Sequence, residues 1–253
     1  MGLGTGQIRA VLPRTCALGL VVALGASSVS AQQQEAKREP ARWSVEPSLY
    51  LFLPGLTGTV GIGPIDIDLD SPSSAVIHLN FAALGTVRVA HGPWALTTDV
   101  LYANLDTTQG SLTLTMHQLL VEPTLSYRVF PWLEPLAGFR YFSVGGDLDG
   151  PTGRAHAITQ GWFDPIFGAN LQLSLSESVS LHFRGDVGGF GVGSKLTWQV
   201  FPFVRWTVSD LVSLDAGYRV LSEHYEHGTG ADRLLFDVIE LGPQIGIKFF
   251  FGF

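Results

Sequence analysis

Near the C-terminus the chain alternates in polarity with a period of two. Ile239, Leu241, Ile245, Ile247, Phe249, Phe251 and Phe253 fall on one face of an extended segment, and Glu240, Gln244 and Lys248 on the other. Successive side chains of a strand point to opposite faces, so such a segment is a strand with one greasy and one wettable side. The pattern recurs. Trp43, Val45, Leu49, Leu51 and Leu53 oppose Ser44, Glu46, Ser48 and Tyr50, and Phe163, Phe167, Leu171, Leu173 and Leu175 oppose Asp164, Asn170, Gln172 and Ser174. Leu181, Phe183 and Val187 oppose Ser180, His182, Arg184 and Asp186, and Val212, Leu214, Ala216, Tyr218 and Val220 oppose Ser213, Asp215, Arg219 and Glu223.

A soluble β-sandwich also alternates. It would carry many charges on its wet faces, whereas only 15% of these residues are charged and 46% are apolar, against about 25% charged in an average soluble domain. After Arg42 no apolar run reaches the roughly 20 residues that a transmembrane helix needs. A closed barrel reconciles the two facts, because its strands show lipid only every second residue. The chain therefore reads as an all-β, antiparallel transmembrane β-barrel over residues 43–253.

Residues 1–31 carry Arg9 and Arg14, an apolar run from Cys16 to Leu24, and small residues ending Val29-Ser30-Ala31. That is the pattern of a signal peptide cleaved before Gln32. Cleavage removes Cys16, the single cysteine, and leaves 13 basic against 22 acidic residues, a net charge of −9. Disulfides and thiolate metal sites are then excluded, and nucleic acid is a poor partner because phosphate binding needs a basic patch. Residues 32–42 are polar and read as a disordered lead-in.

Compact turns are expected at His91-Gly92-Pro93, Phe130-Pro131, residues 175–178 and residues 208–210. Longer loops are expected at 54–80, 106–111, 145–160, 188–195 and 226–234. Four tight turns alternating with five loops give about ten strands, with both termini at the tight-turn, periplasmic end. Eight or twelve strands also fit, since Gly58 to Asp70 could form an added hairpin beyond the membrane. Trp43, Trp94, Trp132 and Trp206 lie where a rim of rings would meet lipid headgroups, and Tyr102, Tyr141, Phe163, Trp198 and Tyr218 are candidates for the opposite rim.

The closing stretch Lys248-Phe249-Phe250-Phe251-Gly252-Phe253 resembles the final strand of outer-membrane barrels. The run from Arg184 to Gln199, with Gly217-Tyr218-Arg219 and Gly242-Pro243, is similar to a widespread group of functionally unassigned bacterial outer-membrane β-barrel proteins. The resemblance implies a Gram-negative outer-membrane location. It also implies an assembly signal at Phe253, read by the barrel-assembly machinery, with outer-membrane lipid as the other partner. It implies no catalytic residues.

On the inward faces the sequence places acids Glu46, Asp99, Glu122, Glu134, Asp164, Asp186, Asp215, Glu223 and Glu240. Beside them stand the bases Arg88, Arg128, Arg140, Arg184, Arg205, Arg219 and Lys248. Charges of both signs on neighbouring strands should pair and partly plug a narrow bore, with Arg184 and Asp186 near Arg205, and Asp215 and Arg219 near Glu240 and Lys248. The expected role is structural, with a minor, narrow, porin-like path as the functional variant.

Asp66, Asp68 and Asp70 share one side of an extended segment, and Asp147 and Asp149 sit in another loop. A hard cation takes several oxygens, but no recognised loop spacing is present. His224 and His227 point to opposite faces of a strand, which weakens a shared metal site. Gly188 to Gly193 is followed by a strand and not by the helix a phosphate loop needs. No cofactor, metal or catalytic constellation is expected. The rival readings are a barrel hydrolase using rim histidines such as His117, His224 or His227, and a surface-binding protein using the long loops.

Overall fold

The structure, a computed structural model, describes residues 43–69, 78–109, 112–150 and 153–253. The leader at 1–31, the lead-in at 32–42 and Asp70 lie outside the described residues. Thirteen strands follow one another: β1 (Trp43–Phe52), β2 (Gly55–Ile62), β3 (Ile65–Asp68), β4 (His78–His91), β5 (Trp94–Gln109), β6 (Leu112–Tyr127) and β7 (Leu133–Gly150). Then come β8 (Gly153–Ser174), β9 (Val179–Gly188), β10 (Leu196–Thr207), β11 (Val212–His227), β12 (Leu234–Phe249) and β13 (Phe251–Gly252).

Ten of them close a ring. β1, β4, β5, β6, β7, β8, β9, β10, β11 and β12 pair in that order, all antiparallel, and β1 returns to β12 through Ser48↔Lys248 to Phe52↔Gln244. β13 carries the line of β12 past Val45 and Ser44, and Phe253 N donates to Trp43 O at 2.9 Å. Closure leaves no open edge along this seam, which a sheet surrounded by lipid could not tolerate.

The turns at one end are short because their residues suit it. Gly92 has φ 59° in the two-residue link between His91 and Trp94, a left-handed value that costs glycine nothing, and Pro93 fixes the next φ. At the other end the expected loops at 106–111 and 145–160 are instead extensions of strands: β5 and β6 pair out to Gln109↔Leu112, and β7 and β8 to Gly150↔Gly153. In these stretches Thr, Asp and Gly interrupt the apolar alternation. Threonine still favours strand, so pairing outlasts the pattern that would reveal it.

The outer surface is a band of exposed apolar side chains, including Leu49, Leu96, Leu125, Phe139, Phe163, Phe167, Leu173 and Ile245. Exposed Trp43, Trp94, Trp132 and Trp206 all sit at the turn end. The alternation read from β1, β8, β9, β11 and β12 is the alternation observed.

The bore is not polar throughout. Toward the loop end Phe52, Leu101, Leu120, Phe142, Trp162, Leu221, Phe236 and Val238 form a core as dry as a soluble protein's. Trp162 stacks on Tyr225 at 3.7 Å and on Phe142 at 5.2 Å.

Within the loop expected at 54–80, the hairpin left open as an alternative is present as β2 and β3, but it does not extend the wall outward. β2 takes over the edge of β12 from β1, running Gly55↔Leu241 to Ile62↔Leu234, and β3 folds back on β2. β2 comes within 8 Å, Cα to Cα, of β8 on the far side of the ring. Val60, Ile62 and Ile67 are buried in the lumenal core.

Candidate functional site

Side chains at the mid-height of the lumen form a charged belt. Arg140 on β7 is fully buried. Its Nε donates to Glu122 Oε2 at 2.7 Å, its Nη2 to Asp186 Oδ1 at 2.7 Å, and its Nη1 to Thr197 Oγ1 at 2.5 Å. Arg184 meets the same two acids from the other side, pairing with Glu122 and donating from Nε to Asp186 Oδ2 at 3.2 Å. Two guanidinium groups and two carboxylates thus neutralise one another in a space too narrow to hydrate them, the condition under which buried ions are tolerated.

The belt continues through Gln199 to Arg219, whose Nε donates to Gln199 Oε1 at 2.7 Å. Arg219 Nη1 pairs with Asp99 at 3.1 Å, and Tyr50 donates to the same carboxylate at 2.8 Å. These contacts tie together β1, β5, β6, β7, β9, β10 and β11, seven of the ten ring strands, so the belt fixes the cross-section of the barrel.

Below it, toward the turns, Arg88 on β4 makes a two-pronged pair with Glu134 on β7 at 2.8 Å for each prong, and Ser126 donates to Glu134 at 2.6 Å. Arg128 is half-exposed and 3.9 Å from Glu134. Arg205 and Asp215 form a second two-pronged pair at 2.7 Å. Lys248 reaches Glu46 at 3.4 Å, with Arg88 3.9 Å from the same carboxylate.

The partners differ from those expected, some on an adjacent strand and some across the bore. Arg205 takes Asp215 and not Arg184's partner Asp186. Arg219 crosses to Asp99 and not to Glu240, and Lys248 goes to Glu46 and not to Asp215. A guanidinium arm is long relative to a ten-strand bore, so Arg219 and Arg88 can reach Asp99 and Glu134 across it, whereas Arg205 and Lys248 stay with acids on adjacent strands.

On the loop side of the belt three buried acids have neutral donors. Asp164 accepts from Ser194 N at 2.7 Å, Glu223 from Trp162 Nε1 at 2.8 Å, and Glu240 from Gln118 Nε2 at 2.5 Å. The Ser194 contact was not legible in sequence. The glycine-rich loop tucks into the barrel mouth there, and a Cβ at Gly193 would press on the Phe163 carbonyl at 2.5 Å.

Between the belt and the turns lies a chamber of about 430 Å³, bounded by Glu46, Ser48, Arg88, Glu134, His182, Arg205 and Lys248 and by the rings of Phe130, Trp132, Phe201 and Phe203. Its floor is the belt, through Arg184, Arg219 and Asp99. The inward phenylalanines of β10 are a feature the sequence pattern concealed. Their one signal is the run Val200-Phe201-Pro202-Phe203-Val204, apolar on both faces.

Other expected positions resolve separately. Asp66 pairs with Arg233 at 2.6 Å, and Ile67 beside it is buried. His224 Nδ1 lies 3.1 Å from Asp237 Oδ1 on the outer face, and Ser180 Oγ lies 2.8 Å from His182 Nε2 inside the chamber. Among the described residues no group of three or more His, Cys, Asp or Glu is spaced to hold a metal ion.

No protein-family model and no curated relative matches the chain. Solved structures that it resembles are bacterial outer-membrane barrels. The translocator domain of the autotransporter NalP from Neisseria meningitidis aligns at TM-score 0.43 and 8% identity, over 83% of this chain and 88% of that one. An outer membrane channel from Pseudomonas putida aligns at 0.42 and 9%, over 85% and 96%. A major outer membrane protein from Thermus thermophilus aligns at 0.41 and 15%, over 84% and 100%.

Proposed function

We propose that the chain is an integral outer-membrane barrel of the functionally unassigned group, exported by a cleaved signal peptide. In this reading its interior is structural and conducts little or nothing. The carrying observation is the division of the wall: apolar residues cover the outside, while the belt and the lumenal core fill the inside. A water-filled path would have to cross both fillings, and the dry core offers ions no replacement for their hydration shell. Lipid is the partner of the outer band, and the C-terminal strand ending at Phe253 is the segment offered to the assembly machinery.

Two measurements test this. Detergent-extracted outer membranes should contain the protein in a compact form that shifts on a gel only after boiling; recovery as a detergent-free monomer from periplasm overturns the reading. Purified protein in planar bilayers should give no stable openings, and large, persistent ones would reject the closed lumen in favour of a pore.

The chain is proposed to be non-enzymatic. The Ser180–His182 contact is the arrangement closest to a nucleophile and base. The nearby Asp215 is engaged by both prongs of Arg205, and among the described residues no hydrogen bond joins it to the ring. The outer-face His224–Asp237 pair lies at the loop end, and among the described residues no hydrogen bond joins its ring to a hydroxyl. Unchanged ester, lipid and peptide substrates after incubation are the expected result.

A further inference from the structure

The distribution of charge along the bore is uneven. Six cations border the chamber (Arg88, Arg128, Arg184, Arg205, Arg219 and Lys248) against four carboxylates (Glu46, Asp99, Glu134 and Asp215). Of the buried acids, the three whose donors among the described residues are neutral, Asp164, Glu223 and Glu240, are all on the closed side of the belt.

Three of the four chamber carboxylates already hold a cation at close range. Glu134 is held by Arg88, Ser126 and Asn170, Asp215 by both prongs of Arg205, and Asp99 by Tyr50 and Arg219. Among the cations other than the half-exposed Arg128, Lys248 is held least closely. Lys248 can donate three hydrogen bonds and has its acid partner at a long 3.4 Å. Arg219 is 2% exposed, and its Nη2 has no hydrogen-bond partner among the described residues. That nitrogen has essentially no surface open to the chamber and the guanidinium lies over Phe52 of the dry core, so Arg219 gives the floor charge and not a free donor.

One wall is apolar. Phe201 and Phe203 of β10 stack at 4.7 Å, and the Arg205 guanidinium lies 5.5 Å from the Phe203 ring. A cation-rich floor beside stacked rings suits a ligand with one anionic end and a flat apolar body.

We propose that the chamber is a binding site for a small organic carboxylate with an aromatic body, entered from the turn end. Only the statement that this end faces the periplasm rests on the outer-membrane reading; the site itself does not.

The test uses the full mature chain, folded in a neutral detergent and verified by its shift on boiling. Fluorine NMR of 4-fluorobenzoate is compared with 4-fluorobenzyl alcohol and 4-fluorobenzylamine, and boiled protein in the same detergent serves as the blank. The acid should broaden on folded protein at least fivefold more than the alcohol, and the amine should not exceed the blank. Lys248→Gln should weaken the acid at least fivefold. Glu46→Gln removes the acid partner of Lys248 and should tighten it about twofold or more. Opposite signs cannot come from a general folding defect, and if Lys248→Gln does not fold, Glu46→Gln decides alone. Equal broadening of acid and alcohol, preference for the amine, or weaker binding in Glu46→Gln overturns the site. None of these results bears on membrane location, which the gel shift and fractionation decide separately.

Discussion

Arg140 holds Glu122, Asp186 and Thr197 in a space that excludes water. Replacing it with methionine keeps the bulk and deletes the charge, leaving two carboxylates to share Arg184. Breaking a buried pair by removing one partner costs about 3–5 kcal/mol. Arg128→Gln, at a half-exposed site 3.9 Å from its acid, should stay within about 0.5 kcal/mol. Urea midpoints of the two variants in lipid vesicles check this, and equal midpoints would show that the belt does not stabilise the fold. The alternation of charged with apolar residues was legible, whereas the inward turn of Phe201 and Phe203 was not. Which partner each charged residue takes was not legible either, because Arg140 and Arg219 reach past adjacent strands, and chain spacing does not encode depth across a lumen.

The hairpin β2–β3 is the element that sequence reading left open. Its residues look like a Gly- and Asp-rich loop, and only the buried Val60, Ile62 and Ile67 mark it as core. Gly58 makes the β2–β12 pairing feasible. Its φ is 118°, and a Cβ there would collide with the carbonyl of Asp237. Gly58→Val should therefore release β2 from Leu234–Leu241 while the ten-strand ring survives. Amide exchange at residues 56–62 should accelerate by an order of magnitude or more, with the boiling-dependent gel shift retained. Unchanged exchange would mean that β2 is not held by this register. The lengths of β5 to β8 were underestimated for a related reason: above the apolar band neither face needs to be greasy, so the period of two fades while the hydrogen-bond ladder continues.

At the scale of the whole molecule the sequence reading reached furthest, because closure, even strand number and the outward face all follow from one repeat and its turns. What it missed is that the loop-end part of the bore is a second hydrophobic core. In the run Leu234-Leu235-Phe236-Asp237-Val238-Ile239 the inward residues Leu234, Phe236 and Val238 are apolar, where inward positions further along the strand, Glu240 and Gln244, are polar. A barrel dry inside and greasy outside raises the question of which apolar surface meets the membrane, and depth-dependent charge insertion answers it. Phe139 points outward, 60% exposed, on the side of β7 opposite Arg140, whereas Val208 is exposed in the turn between β10 and β11. In a bilayer, Phe139→Arg should cost about 2–4 kcal/mol and Val208→Arg about 0–1 kcal/mol, the difference between midplane and interface. In water neither change alters burial, and both would be nearly neutral. Folding free energies of the two variants in vesicles therefore separate a membrane-facing band from a merely exposed one, and a Phe139→Arg chain as stable as Val208→Arg would place that band outside the lipid.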